Sequence, residues 1–411
     1  MANVCIVSPG AIGSNPRVVK EANCLAVAGH EVTVLSIRTL DCIDALDGTI
    51  LAAVRWRAKR LDFRSKRKRI FPSLIQRSAL ALQRLVGVGY GAETAASPFA
   101  LALSAAAFRV KADLYIAHYV AALPAAARAA AHHCAAYAFD AEDFHMGDLP
   151  DAPEHALTRR IIQAIESRYL PGTAYMTAAS PLIAKAYAET YGVPLPTVIL
   201  NVFPKSNAPA MPTPRGSAQP GPSVYWFSQT IGPGRGLEIA VQAIARAQSR
   251  PHLYLRGIPA VGYDTYLRNL AAGVGAADKL HFLDPVPPDE LEGLGAAYDL
   301  GYVGELAETS NRLIALTNKL FSYLLGGVPS LATDIPAHRQ LAPQLGEAMT
   351  LFPIGDVAAL AGAIDRFLIY PQCLATARTH AWRLGQTRFN WDLEQTTFLR
   401  TTIAGVADAD V

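Results

Sequence analysis

Near the carboxyl end, Asn318 to Pro329 reads Asn-Lys-Leu-Phe-Ser-Tyr-Leu-Leu-Gly-Gly-Val-Pro. A polar pair opens a helix and Gly326-Gly327 closes it. A helix N-terminus offers free N–H groups and a partial positive charge, both suited to a diphosphate. Lys319 adds a full charge. The same residues also make an ordinary capped helix, because Leu320, Phe321, Leu324 and Leu325 supply a core face, and physics alone favours that reading. Further residues could do chemistry. Arg235 sits between Gly234 and Gly236, the setting of a ligand-facing loop or of a plain solvated one. His118 ends an apolar run, where a lone histidine is more often a hydrogen-bonded strand end than a ligand. Asp140, Glu142 and Asp143 could hold a substrate or act as base, or cap a helix.

At 411 residues the chain exceeds one ordinary core, which predicts two or three domains. A composition of 51% hydrophobic and 17% charged residues is that of a soluble globular protein. Much of the apolar fraction is alanine, so a mean hydropathy of +0.19 does not imply a membrane protein. The richest stretch, Val120–Phe139, is interrupted by Pro124, Arg128, His132 and His133, unlike a spanning helix. The N-terminus begins with strand-like Val4–Val7 and no leader pattern, which predicts a cytosolic protein. Five scattered cysteines, with no CxxC pair, predict reduced thiols and neither a disulfide framework nor a zinc site.

The positioning elements follow from hydrophobic spacing. Val4–Ser8 predicts a strand, Pro16–Ala28 a helix capped by Ser14 or Asn15, and Glu31–Ile37 the next strand. That is the βαβ unit of a parallel sheet. Asp113–His118, Tyr137–Asp140, Tyr175–Ala179 and Thr197–Leu200 continue the rhythm. Pro204–Pro222 is rich in Pro, Gly and Ser without apolar period, the clearest linker. Strands are then expected at Ser223–Ser228, His252–Arg256, Lys279–Leu283, Leu300–Val303 and Val328–Thr333, and helices at Leu237–Ala247, Asn318–Leu325 and about Trp391–Ile403. The expected fold is α/β: two Rossmann-like, doubly wound parallel-sheet domains facing each other across a cleft. The first spans 1–203 and is completed by a C-terminal helix at 391–411; 204–222 is the linker; the second spans 223–388.

Several segments, in order, resemble motifs of GT-B glycosyltransferases, in particular glycosyltransferase family 4. Asn318–Pro329 resembles the family's Asn-Lys-Leu-Phe-Glu-Tyr-Leu element. Gly10–Arg17 followed by Gly29-His30-Glu31-Val32 resembles its first βα loop. Asp113–His118 resembles its strand ending in His, Phe139–Asp143 its Tyr-Asp-Ala-His-Glu motif, and Val198–Asn201 its Val-Ile-x-Asn element. Phe227–Gln229 through Arg235-Gly236 resembles the opening of its second domain.

The resemblance implies transfer of a sugar, with retention, from a nucleotide-diphosphate sugar to an acceptor hydroxyl. The acceptor would be a lipid-linked or cell-envelope glycan, and the class a hexosyltransferase. Neither metal nor cofactor is implied, the nucleotide sugar being a substrate. The donor would be held by Gly10, Gly13, Gln229, Arg235, Gly236, Asn318, Lys319, Leu320, Phe321 and Ser322. Glycines admit the phosphates where a Cβ would obstruct, and Arg235 neutralises the leaving diphosphate. His118, Asp140, Glu142 and Asp143 would be catalytic.

The chain departs from the pattern in three places. Gln229 replaces an Arg, Ile314 and Ser322 stand where two glutamates are expected, and Glu142-Asp143 replaces His-Glu. Of these, Ser322 takes the place of the ribose-binding carboxylate, although Glu305 and Glu308 lie nearby in sequence. These departures keep two other functions in view, a nucleotide-sugar epimerase and a non-catalytic binding protein. An NAD oxidoreductase fits worse, without Gly-x-Gly-x-x-Gly or an acid after Ile37.

Nine basic residues (Arg55, Arg57, Lys59, Arg60, Arg64, Lys66, Arg67, Lys68, Arg69) and one acid, Asp62, give Arg55–Arg69 a charge of +8 in a chain of net +3, so the remainder sums to −5. With Trp56, Leu61, Phe63, Ile70 and Phe71 interleaved, the stretch suits peripheral contact with an anionic membrane, placing the protein on the inner face of the cell membrane. A solvated loop is the alternative. No nucleic-acid-binding module accompanies the stretch.

Overall fold

The computed structural model describes residues 1–211 and 221–407, without the side chains of Cys42, Ile43, Val406 and Ala407. Residues 212–220 of the expected linker and 408–411 of the expected last helix therefore lie outside the described residues. The chain forms two compact units. One comprises Met1–Ile199 and the chain from Gln395; the other is Leu200–Glu394.

The first unit is built on seven strands: β1 (Asn3–Val7), β2 (Glu31–Arg38), β3 (Arg57–Asp62), β4 (Leu114–His118), β5 (Ala136–Ala141), β6 (Tyr175–Ala178) and β7 (Thr197–Val198). Their order is β3-β2-β1-β4-β5-β6-β7, and every pairing is parallel. The second unit carries β8 (Ser223–Ile231), β9 (His252–Pro259), β10 (Leu280–Leu283), β11 (Leu300–Val303), β12 (Ser330–Thr333) and β13 (Met349–Phe352). These lie in the order β10-β9-β8-β11-β12-β13, again all parallel. A parallel sheet covered by helices on both faces demands near-continuous apolar strands. Val4–Val7 and Leu114–His118 are buried throughout, and Val224, Trp226, Leu253, Leu255, Leu300 and Leu331 centre the core of the second unit.

Each sheet reverses its strand order once, between β1 and β4 and between β8 and β11. Loops at the carboxyl ends of strands flanking such a switch point form the ligand crevice of doubly wound sheets. The helix Pro16–Val27 starts there in the first unit. Asn15 Oδ1 accepts from the amides of Arg17 and Val18, both at 3.1 Å, with Pro16 in the first turn. In the second unit the helix Leu237–Arg246 starts after Gly236, whose φ of +63° suits glycine. The helix Asn318–Gly326 ends at Gly327, also left-handed with φ +68°.

Several elements depart from the expected pattern. β3 lies inside the basic stretch, its charged side chains giving no apolar alternation to read, as suits an edge strand. β13 was not expected either. The strand expected from Lys279 begins at Leu280, after the 3-10 turn Ala277–Lys279. No single helix among the described residues is long and apolar enough to cross a membrane. Cys5 and Cys24 are buried free thiols, and Cys134 and Cys373 exposed ones; the Cys42 side chain lies outside the described residues.

Candidate functional site

In the second unit, three cations converge on one carboxylate. Glu305, just beyond β11, is buried. Its Oε2 accepts from Arg312 Nη1 at 2.7 Å and lies 3.5 Å from Arg235 Nη1. Burial alone would raise its pKa. The charges of Lys319, Arg235 and Arg312 outweigh that and hold the carboxyl below the usual range. Lys319 is buried as well, with its ammonium 5.3 Å from the centre of the Trp226 ring. Desolvation, aided by Arg235 and Arg312, pulls its pKa down to about 8 against the opposing pull of Glu305. Counting three cations and one anion, the cluster carries an excess of two positive charges at neutral pH. It stands at the start of the helix Asn318–Gly326, beside the loop that carries Arg235.

The backbone gives that loop its shape. A Cβ on Gly236 would lie 2.8 Å from Tyr302 Oη and 3.1 Å from the Gly304 carbonyl oxygen. Tyr302 Oη donates to the Gly236 carbonyl oxygen at 2.7 Å. On Gly234, with φ +75°, a Cβ would meet Glu308 Oε2 at 2.9 Å. Gln229 is exposed on β8.

The remaining residues of the Asn318–Ser322 group divide. Asn318 and Lys319 open the helix, after Thr317 at the cap. Leu320 and Phe321 are buried, Phe321 with its ring 5.8 Å from that of Phe389, so any contact they make with an anion is through the backbone. Ser322 Oγ donates to Glu292 Oε1 at 2.7 Å, in a buried pair. The position where the family's ribose carboxylate is expected thus faces the short helix Leu291–Gly295.

In the first unit, the switch point holds a buried ion network. Arg17 Nε and Nη2 each donate at 2.6 Å to Asp140, and Nη1 donates to the Ile199 carbonyl oxygen at 2.6 Å. Thr177 Oγ1 donates to Asp140 Oδ1. His118 lies between Glu21 Oε2 at 3.0 Å and Glu142 Oε1 at 3.2 Å. Burial disfavours the imidazolium, but Glu21, Glu142 and Asp140 push the His118 pKa up to about 10. Glu21, His118 and Asp140 offer ligand atoms within 4.8 Å of one another, but the Arg17 guanidinium already neutralises Asp140. Of the four expected catalytic residues, His118 and Asp140 are buried inside this network. Glu142 keeps a side chain 15% exposed, its Oε1 held by Asn15 Nδ2 at 2.7 Å and by His118. Asp143 is partly exposed beside it in sequence.

Gly10 precedes the 3-10 turn Ile12–Ser14 in the first loop, and Gly13 lies inside it. The Gly13 amide donates to Asp47 Oδ1 at 2.7 Å, and a Cβ there would meet Leu46 at 2.8 Å. Its lack of a side chain makes room for the helix Asp41–Ala53. The Gly10 carbonyl oxygen accepts from the Ile37 amide at 3.1 Å.

The basic stretch is not one patch. Arg60 and Arg64 turn onto the acidic start of the helix Asp41–Ala53, with Asp44 at 2.9 Å and 3.3 Å respectively and Asp41 3.0 Å from Arg64. Asp62 pairs with Arg64 and Lys68, and Glu31 with Arg57. Arg69 donates to the Arg64 carbonyl oxygen. Trp56 is buried, its indole bonded to Asn23 Oδ1 at 2.7 Å, and the Phe63 ring lies 4.8 Å from that of Phe99. Neither aromatic is left for a membrane interface.

Sequence reasoning passed over Arg312, Trp226 and Glu21. Glu21 carries a signal, four residues after Arg17 on one helix face. Arg312 carries none, since its role depends on where the loop after β11 returns.

No family model matches the chain, and no curated protein matches it by sequence. Solved structures do match. Anabaena HepE in complex with UDP and glucose is 16% identical with a TM-score of 0.70, covering 98% of this chain and 100% of that one. Sucrose-phosphate synthase from Thermosynechococcus elongatus is 16% identical with a TM-score of 0.72, covering 99% and 100%. A mutant of S. aureus TarM in complex with fondaparinux, alpha-GlcNAc-glycerol and UDP is 9% identical with a TM-score of 0.70, covering 98% and 99%. These neighbours are GT-B glycosyltransferases, and the likeness is one of fold: two doubly wound parallel-sheet units, here of seven and six strands.

Proposed function

We propose that this protein is a glycosyltransferase that takes a sugar from a nucleoside-diphosphate sugar and passes it to an acceptor hydroxyl. The observation that carries the reading is the cluster of Arg235, Arg312 and Lys319 around Glu305 at the start of the helix Asn318–Gly326. Such a cluster fits a leaving diphosphate better than a neutral ligand, because its excess charge is matched only by an anion. The second unit would then hold the donor and the first the acceptor. In this reading the transfer proceeds with retention. The acceptor oxygen forms its bond to the anomeric carbon on the face from which the diphosphate leaves, its proton passing to the departing phosphate. Glu142, the least buried carboxylate of the His118 network, orients the acceptor. The acceptor class we favour is a lipid-linked or cell-envelope glycan, met at the inner face of the cell membrane.

Calorimetric titration with a panel of nucleoside diphosphates and their sugars tests the reading. We expect binding of at least one; binding of none overturns it. Incubating the bound sugar nucleotide without acceptor separates the epimerase alternative, which would convert the donor by itself. Mass spectrometry of transfer products separates a non-catalytic binder.

The pH dependence of that binding has a definite sign. Free Lys319 is protonated below about 8 and loses its proton above that. A bound diphosphate favours the ammonium, so binding above pH 8 must take up a proton. Affinity is expected to be flat from pH 7 to 8 and to fall by up to about tenfold per unit above 8. Titrations in buffers of different ionisation enthalpy will show proton uptake at pH 9; an affinity unchanged to that pH removes Lys319 from the site.

A further inference from the structure

The helix Lys66–Val86 leaves an apolar face exposed. Its inward side is mixed, with Ile75, Ala79 and Leu80 partly buried beside two hydrogen-bonded glutamines. Gln76 Nε2 donates to the Ala95 carbonyl oxygen at 3.2 Å, and Gln83 Nε2 to the Tyr90 carbonyl oxygen at 2.9 Å. Gln83 Oε1 accepts from the Gly89 amide at 2.9 Å, and Gln83 is the buried residue of the helix. Its outward face is apolar. Ile70, Phe71, Leu74, Leu82, Leu85 and Val86 are between 46% and 84% exposed, and Tyr90 just beyond is 95% exposed. Ile70, Leu74, Ala81 and Leu85 share one stripe by helical spacing, with Phe71 and Leu82 beside it. A soluble helix turns such a stripe to its core, and a contiguous exposed one marks an interaction surface.

Charge selects the occupant. The 21 residues contain six basic side chains, Lys66, Arg67, Lys68, Arg69, Arg77 and Arg84, and no acidic one. A second copy of the chain would set two such cationic helices against each other. An anionic lipid surface answers both faces at once, with acyl chains for the stripe and phosphate headgroups for its basic rim.

We propose that the helix Lys66–Val86 docks flat on an anionic phospholipid bilayer, with Ile70, Phe71, Leu74, Leu82 and Leu85 entering the headgroup–acyl boundary. The inference is independent of the transferase reading. It also relocates the membrane contact expected from the sequence: Arg60 and Arg64 are held by aspartates, and the contact passes to a helix that extends 17 residues beyond Arg69.

Flotation of the full chain with vesicles tests it, using phosphatidylcholine alone and phosphatidylcholine mixed with phosphatidylglycerol. We expect flotation with the anionic vesicles only. Phe71→Ser and Leu85→Ser should each lower the partition coefficient roughly tenfold, and Arg77→Gln and Arg84→Gln roughly fivefold each. All four positions are exposed, so thermal midpoints should stay put, and titration of the same samples with nucleoside diphosphates should be unaffected. Absence of flotation with anionic vesicles overturns the proposal, as does equal flotation with neutral ones. A concentration-dependent dimer that Phe71→Ser dissociates overturns it in favour of a second copy.

Discussion

Replacing Arg17 by methionine is expected to destabilise the first unit by about 3–5 kcal/mol, the usual consequence of removing one partner from a buried ion pair. The guanidinium donates twice to Asp140 and once to the Ile199 carbonyl oxygen, and its Nε lies 3.3 Å from Glu21. Methionine fills much of the volume but leaves Asp140, Glu21 and Glu142 with His118 as the one remaining cation in the network. At about 2–4 °C per kcal/mol for a unit of this size, the melting midpoint should fall by roughly 6–20 °C. Arg17→Lys keeps the charge and loses the fork, so it should fall between wild type and methionine. Differential scanning calorimetry, with the second unit's transition as internal reference, measures both. A loss below about 1 kcal/mol would show that Asp140 and Glu21 are neutral in the fold and that the network is a set of ordinary hydrogen bonds.

This network illustrates what was legible in the sequence. Asp140 and His118 could be singled out because each ends an apolar run, where a parallel strand delivers side chains to its carboxyl edge. That the two are buried together could not be read, because β4 and β5 become neighbours only when the sheet assembles, pairing His118 with Asp140. The elements themselves were readable wherever period and punctuation agreed, as at Asn15-Pro16 or at Asn318–Gly327. They were not readable at β3, where edge position lets charged residues form a strand. The basic stretch misled for the same reason. Summed along the chain, Arg55–Arg69 looks like one cationic patch. In space Asp41, Asp44 and Asp62 neutralise part of it. The polar anchoring of Gln76 and Gln83 is equally invisible to a pattern that assigns polar residues to solvent. At Ser322 the sequence showed that a carboxylate was missing but not that Glu292 meets the serine from a separate helix.

The second large effect is expected at the cationic cluster. Arg235→Ala should weaken nucleoside-diphosphate binding by about 10–150-fold, the equivalent of one charge-assisted hydrogen bond of about 1.5–3 kcal/mol. It should do so with little change in stability, because Arg235 is partly exposed and Glu305 retains Arg312 at 2.7 Å. Lys319→Met should weaken binding comparably at pH 7 and abolish the pH dependence above 8. The decisive variant is Glu305→Gln. Simple charge counting says that removing an anion from a cationic site strengthens anion binding. The geometry says otherwise. Glu305 is the one acidic group raising the Lys319 pKa, while Arg235 and Arg312 lower it. Without that carboxylate Lys319 should sit neutral at pH 8, and the two arginines keep only a neutral amide oxygen in place of the anion that draws them together. Affinity in Glu305→Gln should therefore fall at pH 8 and recover toward acid pH. If Glu305→Gln instead binds more tightly at every pH, the three cations act as an unstructured positive field and Glu305 has no part in ordering them.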